Sequence, residues 1–222
     1  MRAMTRTIVF LIAAAFLSAC STISPQDLMQ ADVDQAVAIM ERFQAIPESG
    51  IPPAVLRAAK GLAILTVGRA GFIGSARGGS GVVIARTEKG WSGPSAIGTG
   101  GLGFGFQAGI EVSELVIVLN TPAAVEAFAK GGNVTLGAAL GIAVGPLGRS
   151  VEGGLTLQAA TYSYSRTQGL FAGVSVEGTV IGTRSGVNSA YYGGPVEARD
   201  ILAGKAQAPA RAEKLRAFLA KY

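Results

Sequence analysis

The 222-residue sequence predicts an α+β fold, a mainly antiparallel glycine-rich β-sheet or partly closed barrel flanked by N- and C-terminal helices. Three observations carry that expectation. Strand-like segments cluster in the middle of the chain rather than alternating with helices, the order expected of an antiparallel sheet. Glycine fills 32 positions, about twice the ordinary share of roughly 7%, and alternates there with large apolar residues. Helix-start signals sit toward both ends.

Taken in order, Met1–Thr7 carries Arg2 and Arg6, and a ten-residue apolar run follows from Ile8 to Leu17. That run is too short to span about 30 Å of hydrocarbon as a helix. With the small residues before Cys20 it has the layout of a secretory signal peptide over residues 1–19. Ser24-Pro25-Gln26-Asp27 then reads as a capped helix start, and Val33, Ala36, Val37, Met40 and Phe43 keep helical spacing to about Ala45. The outer face of this helix is acidic. A short helix is expected from about Ala54 to Lys60.

From Gly61 the period shifts to two. Residues 62–67, 81–86 and 114–119 are short, β-branched runs bounded by Gly, Pro or Asn. Between them, residues 98–109 place Gly101, Gly103, Gly105 and Gly109 on one strand face and large apolar groups on the other. Thr121-Pro122 starts a helix that Gly131-Gly132 ends. Residues 131–148 carry no charge, yet Pro146 and six glycines argue against a membrane span. Their spacing fits a glycine-packed helix or a strand, and the neighbouring strands favour the latter. Strand patterns recur at 155–166, where Tyr162 and Tyr164 share a face, and at 170–183. Helices are expected from Pro195 to Leu202 and from Pro209 to Leu219.

The chemistry available is limited. There is no histidine, so neither an ordinary catalytic triad nor an imidazole metal ligand can be assembled. One cysteine forbids an intrachain disulfide. Asp occurs only at 27, 32, 34 and 200. Glu111 and Glu114, three apart on a strand, point to opposite faces and read as solvated edge charges. The alternating glycines of 100–106 lack the spacing and the strand–helix context of a dinucleotide loop. No catalytic residue, cofactor or metal is expected.

The charge distribution is more informative. The net +5 falls to +3 once Arg2 and Arg6 leave with the signal peptide, and that +3 divides into −4 over residues 20–56, +5 over 57–89, −2 over 90–161 and +4 over 162–222. Such a basic region attracts phosphate-bearing partners at about 1 kcal/mol per basic residue on a charged bilayer. In an exported protein anionic lipid is the expected partner, not nucleic acid. The alternative is a set of solubilising charges, or charges that answer the acidic N-terminal helix.

Two resemblances sharpen these readings. Leu17-Ser18-Ala19-Cys20 resembles the bacterial lipoprotein box, which implies a diacylglyceryl and palmitate anchor on Cys20. The alternative is an ordinary signal peptide with a chance cysteine. Ser21 after the cysteine implies export to the periplasmic face of the outer membrane, if the cell is Gram-negative. The second resemblance rests on many ordered motifs. Gly50-Ile51-Pro52-Pro53, Ala59-Lys60-Gly61-Leu62-Ala63, Arg77-Gly78-Gly79-Ser80-Gly81, Trp91-Ser92-Gly93-Pro94, Gly131-Gly132-Asn133-Val134-Thr135, Gly145-Pro146-Leu147-Gly148-Arg149 and Tyr162-Ser163-Tyr164-Ser165 resemble the SYLF domain in order and spacing. The chain therefore divides into a signal peptide (1–19), a lipid-anchored linker and helix (20–49) and a SYLF-like domain (50–222).

The SYLF resemblance implies lipid binding, of phosphatidylinositol phosphates in eukaryotes, and in one yeast branch actin binding. Carried onto this sequence, it makes Lys60, Arg69 and Arg77, with Arg86 and Arg149, the candidate headgroup contacts. The helix after Pro25 departs from the pattern because its polar face is acidic, whereas a membrane-surface helix is rich in Lys and Arg. A second functional class remains open: an envelope scaffold or protein-interaction module that self-associates through glycine-flattened strands, which permit close backbone approach.

Overall fold

The computed structural model describes residues 23–45, 50–131, 134–136, 142–144, 159–173 and 179–222. The expected signal peptide, Cys20 and Arg149 lie outside the described residues. Helix α1 (Pro25–Gln44) starts as its sequence dictates: the Ser24 hydroxyl accepts from the Asp27 N–H at 3.1 Å, and Pro25 occupies the first turn. Its apolar stripe, from Met29 through Val33, Val37 and Met40 to Phe43, is buried. Helix α2 (Pro53–Ala58) stops two residues before the expected end, because Ala59 is already extended at ψ 135°.

The main feature is one long hairpin ribbon. Strand β1 runs from Gly61 to Thr87 and pairs antiparallel with β3 (Ser95–Leu119), joined through the short β2 (Gly90–Trp91). The expected short strands thus merge into two long ones. Residues 68–80 hold few β-branched side chains, so their propensity hides the strand, and continuous cross-strand pairing carries it. Register shifts once, between Phe72 and Gly74, where the ribbon is irregular.

The ribbon folds back on itself. The Arg86 N–H donates to the Lys60 carbonyl at 2.8 Å, joining the two ends of β1. Where the limbs cross, a Cβ on Gly79 would meet the Thr66 carbonyl and one on Gly81 the Ile64 carbonyl. Only glycine permits that backbone contact.

Strand β6 (Thr161–Gly173) pairs antiparallel with β3, while β5 (Ile142–Val144) pairs parallel with β6, an exception to the antiparallel expectation. Strand β7 (Thr179–Thr183) pairs with β3 and with β4 (Val134–Leu136). Within 131–148, residues 134–136 and 142–144 are thus strand. The sheet is open, in the order β2-β1-β3-β6-β5 with β7 and β4 branching from β3. The fold class is as expected, α+β with helices at both ends.

Strand alternation sorts two cores. Even positions such as Leu62, Ile64, Val82, Ile84, Val116 and Val118 pack with α1, and Tyr162 and Tyr164 join them. Odd positions such as Ala63, Leu65, Val83, Ile97 and Ile117 pack with α3 (Pro122–Ala129) on the inner side of the folded ribbon. Helix α4 (Ser185–Tyr192) was not foreseen from sequence. Helix α5 (Ala198–Leu202) begins three residues after Pro195. A 3-10 turn (Ala210–Ala212) leads into α6 (Glu213–Leu219), which closes the even-side core with Leu215 and Leu219.

Candidate functional site

Three basic side chains meet where α3 and α5 approach the ends of β1. Lys60, Arg86 and Arg199 line a cleft of about 210 Å³ whose apolar wall includes Val125, Ala129 and Leu202. Lys60 sits at the turn between α2 and β1 and is exposed. Arg199, on α5, reaches Glu126 of α3 at 3.3 Å in an exposed pair, the kind worth little in net stability. Cations over an apolar wall suit an amphipathic anion.

Arg86 has a structural task as well. Its Nε donates to the Ala59 carbonyl at 3.2 Å and its Nη2 to the Leu56 carbonyl at 3.3 Å, at the C-terminal end of α2. The guanidinium lies 4.5 Å from the centre of the Trp91 ring. Burial lowers its pKa, but a guanidinium stays charged. Arg86 therefore fixes the cleft wall while lending it positive potential.

The fold does not gather the sequence-derived candidates on one face. Lys60 and Arg86 share the cleft. Arg69 and Arg77 sit at odd positions of β1, half-buried and paired in register with Glu111 and Gly101. Arg77 lies across Gly101, where an added Cβ would stand 2.9 Å from its Nε. Arg149 lies outside the described residues. Arg199 was missed because it falls in a tail that sequence reading treats as a mean charge of +4. Its one signal was the proximity to Pro195, which forecast a helix there.

Glu111 and Glu114 do lie on opposite faces, but Glu114 is not a solvated edge charge. Strand β3 is interior to the sheet, and Arg42 of α1 forks onto the Glu114 carboxylate at 2.6 and 3.0 Å. Glu111 accepts from the Ser113 hydroxyl at 2.9 Å.

A second, open groove of about 560 Å³ runs along Gly79, Gly98, Gly100 and Gly182, with Ser80 and Arg184 on its wall. Asp32 of α1 anchors these two residues. The Ser80 hydroxyl donates to its Oδ1 at 2.6 Å and Arg184 to its Oδ2 at 2.9 Å. Burial pushes the Asp32 carboxyl above its ordinary value, against the lowering influence of both partners. Here the acidic helix answers a basic residue of the tail, Arg184.

Among the described residues no group of His, Cys, Asp or Glu is arranged to hold a metal, and no helix is long and apolar enough to cross a membrane. Residues 100–222 match the family described as Ysc84, Las17-binding protein actin regulator. The chain is 51% identical over 195 residues to SH3 domain-containing YSC84-like protein 1 of Homo sapiens, covering 84% of this chain and 57% of that protein. It is 46% identical over 170 residues to LAS seventeen-binding protein 3 of Saccharomyces cerevisiae, covering 74% of this chain and 37% of that protein. The chain thus spans about half the length, or less, of these relatives. No solved structure matches. With half of its length in the family match and such identity to long-diverged relatives, the chain belongs to the Ysc84, or SYLF, family.

Proposed function

We propose that this protein is a lipid-anchored, extracytoplasmic member of the family that binds anionic lipid headgroups through a basic surface. The observation that carries the reading is the cleft of Lys60, Arg86 and Arg199 over an apolar wall. Acyl chains on Cys20 hold the protein at a membrane, the periplasmic face of the outer membrane in a Gram-negative cell. The basic cleft then engages headgroups on that membrane or on an apposed one. Dual or triple acylation anchors far more firmly than one chain. The family is described by Las17 binding and actin regulation, and the yeast relative is named for LAS seventeen binding. For an exported chain, a membrane surface is the partner within reach. The second reading, self-association through glycine-lined strands, draws on the open groove beside Gly79, Gly98 and Gly100.

Flotation of the chain from Ser21 onward with liposomes separates the two. Recovery on phosphatidylglycerol-containing vesicles should exceed that on neutral phosphatidylcholine vesicles and fall as salt rises from about 50 mM to about 500 mM. Lys60→Glu with Arg199→Glu should lower recovery about tenfold or more, while denaturation midpoints stay put because both side chains are exposed. Equal recovery on both vesicles, indifferent to salt, overturns the headgroup reading. The anchor has its own check: acylated N-terminal peptide should disappear from the mass spectrum of the Cys20→Ser protein.

A further inference from the structure

The bend of the long ribbon is patterned inside out. Even positions of β1 and β3 face α1 as far as Thr66 and Glu114, where Gln35 and Arg42 meet them. Beyond that point no helix among the described residues covers them. Phe72 is 78% exposed, Leu102 77%, Ile110 69% and Val112 44%, and Ala70 and Ala76 beside them are exposed too. The odd positions of the same stretch carry Arg69, Ser75, Arg77, Glu111 and Ser113, none of them exposed, and Ser75 is buried. An antiparallel sheet with one face in water normally turns its polar side outward. Here the polar side turns inward and the apolar side outward, the alternation of strands whose outer face meets lipid.

We infer that this bend, residues 68–76 of β1 with 102–112 of β3, is a membrane-penetrating crest that seats Phe72, Leu102 and Ile110 in the acyl-chain region of an anionic bilayer. The inference deepens the headgroup reading and rests on it for the choice of an anionic surface. The anionic surface comes from that reading and from the basic 57–89 region as a whole, while Arg69 and Arg77 stay half-buried on the inner face of the bend. A second copy of the chain fits less well. A standard interface buries roughly 800 Å² per partner in matched shapes, whereas a bilayer accepts a small apolar wedge without shape matching.

The chain from Ser21 onward keeps every residue of both cores and contains no cysteine, so Leu102→Cys creates a unique attachment point for an environment-sensitive fluorophore. On phosphatidylglycerol vesicles the label should brighten and shift to the blue, and nitroxide groups on the lipid acyl chains should quench it. A label at Lys214→Cys, exposed on α6, should remain unquenched. Phe72→Ser, Leu102→Ser and Ile110→Ser combined should cut vesicle partitioning about tenfold or more, since each large apolar side chain removed from hydrocarbon forfeits a comparable factor. The thermal midpoint should hold, because these side chains are already in water.

The outcomes divide cleanly. An unquenched Leu102 label, with the triple variant floating like the parent and the Lys60/Arg199 reversal failing to float, overturns the crest and leaves the headgroup reading standing. Equal quenching on neutral and anionic vesicles keeps the crest and overturns the headgroup reading. Absence of the parent from all vesicles overturns both. A parent dimer that the triple variant makes monomeric, with no quenching by lipid, assigns the crest to self-association and overturns the proposal.

Discussion

Gly78 and Gly81 lie three residues apart on β1, yet a methyl group has opposite consequences at the two. Nothing stands within 4 Å of the place a Cβ would take on Gly78, whereas on Gly81 it would meet the Ile64 carbonyl and approach the Leu65 Cα to 2.7 Å. Backbone atoms cannot rotate away, so Gly81→Ala must force the two limbs of the ribbon apart. It should cost about 2–3 kcal/mol as overpacking, and Gly78→Ala should stay within about 0.5 kcal/mol of the parent; urea denaturation of the pair decides it. Arg86 is a second such position. Lysine at 86 keeps the charge but loses the fork onto the Leu56 and Ala59 carbonyls and the flat contact with Trp91. Arg86→Lys should lose about 1–2 kcal/mol and alter the emission of Trp91, the one tryptophan of the chain.

The elements differ in how openly the sequence announces them. Helix α1 is legible because its cap, its first-turn proline and its apolar spacing all agree, and α3 because Thr121 caps it. The strands are legible only at their β-branched ends. Their glycine-rich middles become strand through pairing partners far along the chain, and no local pattern contains that. Helix α4 was invisible for a different reason. Ser-Gly-Val-Asn-Ser-Ala-Tyr-Tyr has only a short apolar side, Val187 and Tyr191 with Tyr192, and no capping side chain, and its clearest signal is Gly193, left-handed at φ 79°, just past the end. Buried polar contacts anchor it as well. The Asn188 Oδ1 accepts from the Ala96 N–H at 2.6 Å and its Nδ2 donates to the Ser95 hydroxyl at 2.9 Å, all buried. Asn188→Ala strands a buried donor and should cost about 1–3 kcal/mol by denaturation. For the site, charge counting found Lys60 and Arg86 but could not know that the ribbon curls with its odd face inward, which half-buries Arg69 and Arg77. The junction of α4 with α1 also titrates. Asp32 binds its proton more tightly folded than unfolded, so its contribution favours folding at low pH and is lost as pH rises through the raised value. Arg184→Gln removes an attraction for the carboxylate while leaving it buried, so the Asp32 carboxyl should titrate higher still, as carboxyl-carbon NMR would record.

Across the whole molecule α1 acts as a brace. Arg42 and Gln35 tie it to the first limb of the ribbon, Asp32 ties it to the second limb through Ser80 and to the start of α4 through Arg184. Its apolar face is spent in the core shared with α6. Burying that stripe is worth several kcal/mol at about 1.5–3 kcal/mol per large side chain, more than peeling it onto a bilayer would return, because the same surface only exchanges one apolar contact for another and the half-buried pairs Arg42–Glu114 and Arg184–Asp32 are broken. A helix with an acidic outer face has no electrostatic reason to leave either. Membrane engagement by the intact domain should therefore keep α1 in place and act at the opposite, uncovered part of the ribbon. Hydrogen exchange followed by mass spectrometry tests this at peptide level. On phosphatidylglycerol vesicles, amides of residues 29–43 should keep their protection while those of 68–76 and 102–112 become slower to exchange. Faster exchange in α1 on vesicles, with unchanged rates at the bend, would mean that the helix is released to the lipid and the ribbon is not the contacting surface.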